Sequence, residues 1–317
     1  MVDVFDKTYN SIKDKNNTLS HLRFYSAIRF IIRLSANLLL PVYFLLTHKN
    51  KKYSLKDSAN NKDRIIVSIT SFPSRINRLW LVIETLLRQS QKPDKIILWL
   101  SLDQFPSLNS LPINLLNLLK RGLEIQLKED DFRSHKKYYY AINEYRNDVI
   151  ITLDDDVFYH TELIEDLVNL YHKFPKCVCC NYCSEIEVAD KEIKPYISWK
   201  NYYISENPGS KLFPIGLGGV LYPPGSLNPL VLDSKVFKNI CLYADDIWLN
   251  CMTKLAGNMA VKTNYNSYYL PVMNYKNISL TSVNVNKGLN DKQLSDLRKY
   301  CIETLGKDPF ENILLEN

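Results

Sequence analysis

The sequence predicts an α/β protein built on a mostly parallel sheet flanked by helices, with a separate amphipathic helix near the N-terminus. Three observations carry this. From Arg64 to Leu153, short β-rich apolar runs alternate with stretches of helical spacing. Such alternation implies right-handed βαβ units and a parallel sheet. The fourth run, Val149-Ile150-Ile151-Thr152-Leu153, ends in three aspartates, Asp154-Asp155-Asp156, and open α/β sheets bind ligands at strand ends. The chain is also long enough, at 317 residues with 46% hydrophobic and 23% charged, for one large domain or two small ones.

The elements follow in order. The first 20 or so residues are polar and expected to be loose. Leu22 to Leu40, then Pro41 and Val42 to Leu46, read as an apolar helix whose Ser26, Arg29, Arg33 and Asn37 share one stripe. Two arginines inside the run argue against a clean bilayer span. The wide apolar face and trailing His48-Lys49-Asn50-Lys51-Lys52 fit a helix lying on an anionic membrane surface through residues 22–52, with a spanning helix, or one packed on the main domain or on a partner, as the alternatives. Asn50 to Asp63 is polar and reads as a linker. The expected division is therefore a basic, amphipathic, membrane-associated segment with linker over 1–63, and a catalytic domain over 64–317.

Within that domain, Ile65 to Ile69 is a strand, Leu79 to Leu87 a helix, and Lys95 to Leu100 a second strand. Leu111 to Leu119 is a helix, Leu123 to Leu127 a third strand, Tyr138 to Tyr145 a helix, and Asp148 to Leu153 the fourth strand. A helix from about Thr161 to Lys173 follows. The second half is less regular. Cys177 to Val188 and Tyr196 to Ile204 read as strands, and Phe213 to Pro224 concentrates Gly and Pro around a turn at Gly216 to Gly219. Ala244 to Leu255 reads as a helix, Ala260 to Tyr265 as a late strand, and Asp291 to Thr304 as a closing helix.

Charge narrows the function. The net charge is +6, but residues 1–64 hold 12 Lys and Arg against 5 Asp and Glu, leaving 28 against 29 in the rest. A nucleic-acid footprint would lie on the folded domain, so a nucleic-acid partner is not expected. With 9 glycines, the chain has no Gly-rich phosphate loop or dinucleotide fingerprint. Four of seven cysteines cluster at Cys177, Cys179, Cys180 and Cys183. Cys180 and Cys183 make one CxxC pair, but no second pair stands at zinc-ribbon spacing. A buried strand of small thiols is the expectation, and an odd count points to a reducing cytosol.

The aspartate triplet has two readings. Carboxylates at a buried strand end are costly to desolvate unless a cation sits there, and a divalent metal carrying phosphate suits them. They could instead supply caps or favourable charge to the helix that follows.

Several motifs occur in a definite order: SITSFPSRI from Ser68 to Ile76, Trp99-Leu100-Ser101, KYYYAI from Lys137 to Ile142, ITLDDDVFY from Ile151 to Tyr159, GLGGVLYPPGSL from Gly216 to Leu227, and ADDIWL from Ala244 to Leu249. Together they resemble GT-A-fold glycosyltransferases, similar to the family-2-like enzymes of bacterial surface-polysaccharide synthesis, over residues 64–305. The resemblance implies a GT-A-type, Rossmann-like sheet and a metal-dependent, hexosyltransferase-like enzyme. It would move sugar from a UDP- or GDP-linked donor to a saccharide or lipid-linked saccharide acceptor, with inversion in one displacement; the basic N-terminal segment would hold it at the inner face of the cell membrane.

By the same resemblance, Asp154 and Asp156 would hold Mn2+ or Mg2+ against the donor diphosphate, with Asp155 facing sugar or nucleoside. Thr70, Ser71 and Arg75 would form the nucleotide-binding loop, joined by Asp103 after the second strand. Lys137 would balance the aspartates or touch the donor, and Gly218 and Gly219 would lie beside the sugar. Asp246 would be the base that deprotonates the acceptor hydroxyl, with Asp245 the acid before it. The late histidine that some such enzymes add as a metal ligand is missing, since no histidine follows His172. Asn274, Asn277 and Asn284 are available in its place. Two other readings stand beside it: a metal-dependent nucleotidyl- or phosphotransferase using the same aspartates, and a non-catalytic saccharide-binding, membrane-associated protein with no metal affinity at Asp154 and Asp156.

Overall fold

Seven strands form the central sheet of the computed structural model, which describes residues 1–12, 23–55, 63–265, 268–274 and 288–315. In chain order they are β1 (Ile65–Thr70), β2 (Lys95–Ser101), β3 (Leu123–Lys128), β4 (Val149–Leu153), β5 (Val178–Cys180), β6 (Val220–Tyr222) and β7 (Ala260–Lys262). They lie in the order β7-β5-β6-β4-β1-β2-β3. Only β6 runs against its neighbours β4 and β5; the other pairings are parallel. The expected α/β class and the first four strands are therefore met.

Alternation along each strand divides the core, because successive side chains point to opposite faces. Ile65, Val67 and Ile69 of β1 join Leu98, Ile151 and Leu153 on one face, under α3 (Ile76–Leu86) and α5 (Leu163–Lys173). Ile66, Ile97, Trp99 and Ile150 face the other way, toward α4 (Lys136–Glu144). On that second side α6 (Asp245–Leu255) packs with α7 (Leu289–Leu305).

The N-terminus differs from expectation. Val2–Ser11 is a helix, α1, and residues 2–11 are not loose. Asp3 accepts from the Thr161 N–H at 2.8 Å and its hydroxyl at 2.7 Å, and Asp6 accepts from the Tyr265 hydroxyl at 2.9 Å. Phe24–Thr47 is one helix, α2, running through Pro41. Proline lacks the N–H that would bond the carbonyl four residues back, and that carbonyl, on Asn37, accepts from Arg78 at 3.2 Å. The Asn37 side chain also accepts from Met273 N–H at 2.8 Å and donates to Pro271 O at 3.0 Å. It thus behaves like a short strand partner. The Arg29–Arg33–Asn37 stripe accordingly faces the domain, and the apolar face turns outward.

Three smaller differences are local. The helix expected over Leu111 to Leu119 is one turn, Ile113–Leu116, followed by a 3-10 stretch. The run from Cys177 to Val188 breaks at Asn181, whose side chain accepts from Thr263 Oγ1 at 2.5 Å, and its second half joins a separate antiparallel sheet. Tyr196 to Ile204 is a 3-10 turn with only Lys200–Asn201 in a strand. All seven cysteines are buried free thiols, as the small-thiol reading expects. Residues 56–62 of the linker, with Asn277 and Asn284, lie outside the described residues.

Candidate active site

Register gathers the site. Ile69 lies opposite Leu153 in the β1–β4 pair, so Thr70-Ser71 and Asp154-Asp155 leave the sheet side by side. Antiparallel β6 starts with Val220 opposite Thr152, which brings the turn from Gly216 to Gly219 to the same sheet end. The start of α6 adds Asp245 and Asp246.

Two cations tie these segments together. Arg75 reaches Asp155 at 2.6 Å and Asp156 at 2.9 Å. Lys137 reaches Asp154 at 2.7 Å and Asp245 at 2.9 Å. Lys137 is placed by its own helix start, since the Ser68 hydroxyl donates to its carbonyl and Trp99 donates to Ser68 at 2.8 Å. Burial opposes a charged amine on Lys137, but Asp154, Asp245 and Asp246 outweigh it and hold the pKa well above its usual value. Asp155 is buried, and its two oxygens go to Ser71 (2.5 Å) and Arg75. The Tyr159 hydroxyl fixes the triplet's backbone, accepting from Asp154 N–H at 2.9 Å.

Five carboxylates thus face two cations, and the imbalance falls on two acids. Burial, with Asp154 and Asp155 beside it, pushes Asp156 up to about 7 against the pull of Arg75. Burial and then Asp245 push Asp246 up to about 8. Asp245 is buried too, yet Lys137 outweighs that and leaves it below its usual value. Asp246 accepts from the Gly216 N–H at 3.1 Å. A methyl on Gly216 would sit 3.0 Å from Asp246 Oδ1 and 3.1 Å from Lys137 Nζ, so glycine here keeps the charged centre open.

Other expected residues have different surroundings. Thr70 donates to the Trp99 carbonyl at 2.8 Å. Asp103 is exposed in the turn after β2, its N–H bonded to Ser101 Oγ at 3.2 Å. A methyl on Gly218 would strike Tyr182 at 2.2 Å, and one on Gly219, at φ +86°, would meet Leu153 at 2.8 Å. Close packing and a left-handed backbone account for these two glycines.

Sequence reasoning missed one supporting residue. His135 is fully buried, stacked on Phe237 with centroids 4.4 Å apart, and burial lowers its pKa to about 4. Its Nε2 lies 2.9 Å from the Cys241 carbonyl and its Nδ1 2.7 Å from the Tyr138 hydroxyl. A neutral ring that donates from Nε2 and accepts at Nδ1 satisfies both, and it braces the segment before Asp245. The only local signal was its position beside Lys136-Lys137.

Among the described residues, no three His, Cys, Asp or Glu side chains converge as a metal cage. Asp154 and Asp156 can offer two carboxylates, with side chains 30% and 28% exposed. Hard divalent cations accept few protein oxygens and fill the remaining positions with water and phosphate. The oxygen-only donors and the surplus of negative charge fit such an ion.

No protein-family model matches the chain, and no curated protein matches it. Solved structures of similar outline include mannosyltransferase PcManGT from Pyrobaculum calidifontis in complex with GDP-Man and Mn2+. It is 10% identical at TM-score 0.45, covering 90% of this chain and 78% of that one. S. aureus TarS 1–349 is 12% identical at TM-score 0.41, and the match spans 65% of this chain but only 59% of that one. 4-Diphosphocytidyl-2C-methyl-D-erythritol synthase is 9% identical at TM-score 0.40, covering 68% and 95%. These are distant likenesses in outline; what the chain can do rests on its own side chains.

Proposed function

We propose that the protein is a metal-dependent glycosyltransferase of the GT-A type, family-2-like and hexosyltransferase-like, taking a UDP- or GDP-linked sugar. Its acceptor is a saccharide or lipid-linked saccharide in cell-surface polysaccharide synthesis. The observation that carries this is the split between two kinds of carboxylate at one sheet end. Asp154 and Asp156 stand together after β4, partly open and crowded by like charge, while Asp246 stands on α6, bonded to the Gly216 N–H; Asp156 and Asp246 both have raised proton affinity.

In this reading Asp154 and Asp156 hold Mn2+ or Mg2+, which when bound neutralises charge on the leaving diphosphate. Arg75 and Lys137 hold the acidic segments in place and add positive charge beside that group. Ser71 and Asp155 clamp the donor loop; Thr70, Asp103, Gly218 and Gly219 are its more distant candidates. Asp246 takes the acceptor's proton while its hydroxyl attacks the sugar, giving inversion. A base with pKa near working pH is well matched to that task. Lys137 keeps Asp245 ionised, and Asp245 in turn raises Asp246.

The domain proper is residues 64–317, and the N-terminal segment places it at the cytoplasmic face of the cell membrane. Among the described residues one helix, α2, is long and apolar enough to cross a bilayer by length and composition.

Asp246→Asn should cut sugar transfer by roughly 10²- to 10⁴-fold, with nucleotide and Mn2+ binding retained. Asp156→Ala should lose metal-dependent nucleotide binding as well as transfer. Calorimetry with Mn2+ and UDP or GDP, beside a transfer assay, checks both; near-wild-type turnover in either variant removes that residue's role. Release of pyrophosphate in place of free nucleoside diphosphate would favour the nucleotidyltransferase reading.

A further inference from the structure

A second cluster of unbalanced charge lies far from the carboxylates, at the C-terminal foot of α2. Arg88 and Arg121, both buried, share one acid, Glu84, with Arg121 Nη2 at 3.0 Å from Glu84 Oε2. Arg88 also donates to Thr47, the last residue of α2, at 2.9 Å, and Arg121 donates to the Tyr53 carbonyl at 2.8 Å. Lys92 and Lys52 stand beside them. Among the described residues, neither lysine has a carboxylate partner.

The ordinary explanation for Lys92 is that its amine bonds the Leu87 carbonyl at the end of α3, a favourable place for a cation. That uses one of three donors. It leaves unexplained a third and fourth positive charge around one carboxylate, and the Arg88 Nε, which is buried without a hydrogen-bond partner. The crowding is energetic as well as geometric. Burial, then Arg88, Lys52 and Arg121, lowers Lys92 to about 8, and burial followed by Arg121 lowers Arg88 to about 10.

The same helix presents an unpartnered apolar face. Ala36, Asn37, Leu40 and Phe44 are buried against the domain. On the opposite side Ile31 is 60% exposed, Leu38 59%, Val42 54% and Leu46 80%. The helix is bonded to the domain or to α1 along its length, by Arg29 to Ile12, Asn37 to Pro271 and Met273, and Thr47 to Arg88. Crossing a bilayer would break those bonds, whereas lying in its surface keeps them.

We propose that α2 docks in the plane of an anionic bilayer by its outward face, and that Lys52 and Lys92, backed by Arg88, bind the phosphate of a lipid headgroup there. The bilayer surface supplies both things the region lacks, an apolar layer and an anion. A second copy of this chain would bring another apolar face, but α2 holds no acidic residue and would supply no anion to the cluster. The inference deepens the membrane placement proposed above and does not depend on glycosyl transfer.

Flotation of the full chain with phosphatidylcholine vesicles, with and without phosphatidylglycerol, tests it. Wild type should float with the mixed vesicles and much less with neutral ones, and salt should weaken the difference. Lys52→Gln and Lys92→Gln should each weaken anionic-vesicle binding about fivefold, leaving binding to neutral vesicles unchanged. Leu38→Asp with Leu46→Asp should abolish flotation on both. Lys52 is exposed, so its variant reads the site even if Lys92→Gln fails to fold. Equal flotation on both lipids would overturn the headgroup site. Concentration-dependent dimers abolished by Leu38→Asp, without flotation, would overturn the membrane. So would binding of inorganic phosphate without vesicle binding. A wild type that binds vesicles yet transfers no sugar would leave this inference standing and remove the catalytic one.

Discussion

The carboxylate cluster at the end of β4 and the cationic cluster at the foot of α2 are opposite in sign and alike in construction. Each has a closely bonded core with surplus like charge beside it. In the first, Lys137 and Arg75 join Asp154, Asp155, Asp156 and Asp245, and the excess of negative charge raises Asp156 and Asp246. In the second, Glu84 joins Arg88 and Arg121, and the strain falls on Lys92. They differ in origin. The acidic cluster sits where parallel strands end, a place the fold supplies for ligands. The cationic cluster arises where Arg121 and the segment around Tyr53 pack onto the end of α3. The contrast separates two aspects of buried charge: ion pairs place the groups, and the excess of one sign over the other marks where something else can bind.

The largest effect comes from breaking the scaffold of the cationic side. Glu84→Gln leaves two buried guanidinium groups without their acid, and removing one partner of a buried ion pair costs roughly 3–5 kcal/mol. Thermal unfolding should show a fall of many degrees, with the carboxylate site unaffected in whatever protein stays folded at low temperature. A small shift would mean that water already serves Arg88 and Arg121, and that the two clusters are not built alike.

The glycine turn sharpens the comparison on the acidic side. Gly218→Ala drives a methyl into the Tyr182 ring, and overpacking of this kind costs roughly 1–3 kcal/mol. Gly216→Ala meets the charged ends of Asp246 and Lys137 most closely, at 3.0 and 3.1 Å, with Asp154 Oδ1 at 3.6 Å. It should leave the melting temperature nearly unchanged and still lower transfer on the order of tenfold, because displacing a positioned group acts on rate. Melting curves and initial rates on both variants separate packing from chemistry; equal losses of stability would place Gly216 with the scaffold.

How far this was legible in the sequence follows from the range of the bonds. β1 to β4 are contiguous β-rich runs, and Asp154-Asp155-Asp156 are consecutive, so both could be read locally. Lys137, Arg75 and Asp246 were reached by the order of motifs. The N-terminal layer was not legible in the same way. Asn10 bonds Tyr268 across 258 residues and Asn37 bonds Pro271 across 234, and no local pattern announces such partners. The stripe of Arg29, Arg33 and Asn37 was visible as a stripe, but which way it faced depended on Arg78, Pro271 and Met273. Arg88 and Lys92 looked like ordinary basic residues at a helix end, because their surplus charge arises only when Arg121 and Lys52 arrive from elsewhere.

The smallest expected effect bears on Lys92, and its sign distinguishes a binding site from a helix cap. The native amine has a pKa of about 8, against about 10.4 in an unfolded chain. Below pH 8 both states hold the proton, and the native state bears the full cost of a charged, crowded amine. Between about 8 and 10 the unfolded state binds more protons than the native one, so stability rises with pH across that window. Lys92→Met removes the cost and the rise together. The variant should therefore be more stable than wild type at pH 7, by roughly 1 kcal/mol or a few degrees in a chain of this size, with the gain shrinking toward pH 10. A lysine retained only to cap α3 predicts the reverse, a loss at pH 7 from the bond to Leu87. A stabilised Lys92→Met that has also lost its preference for anionic vesicles would show a residue kept against the interest of the fold.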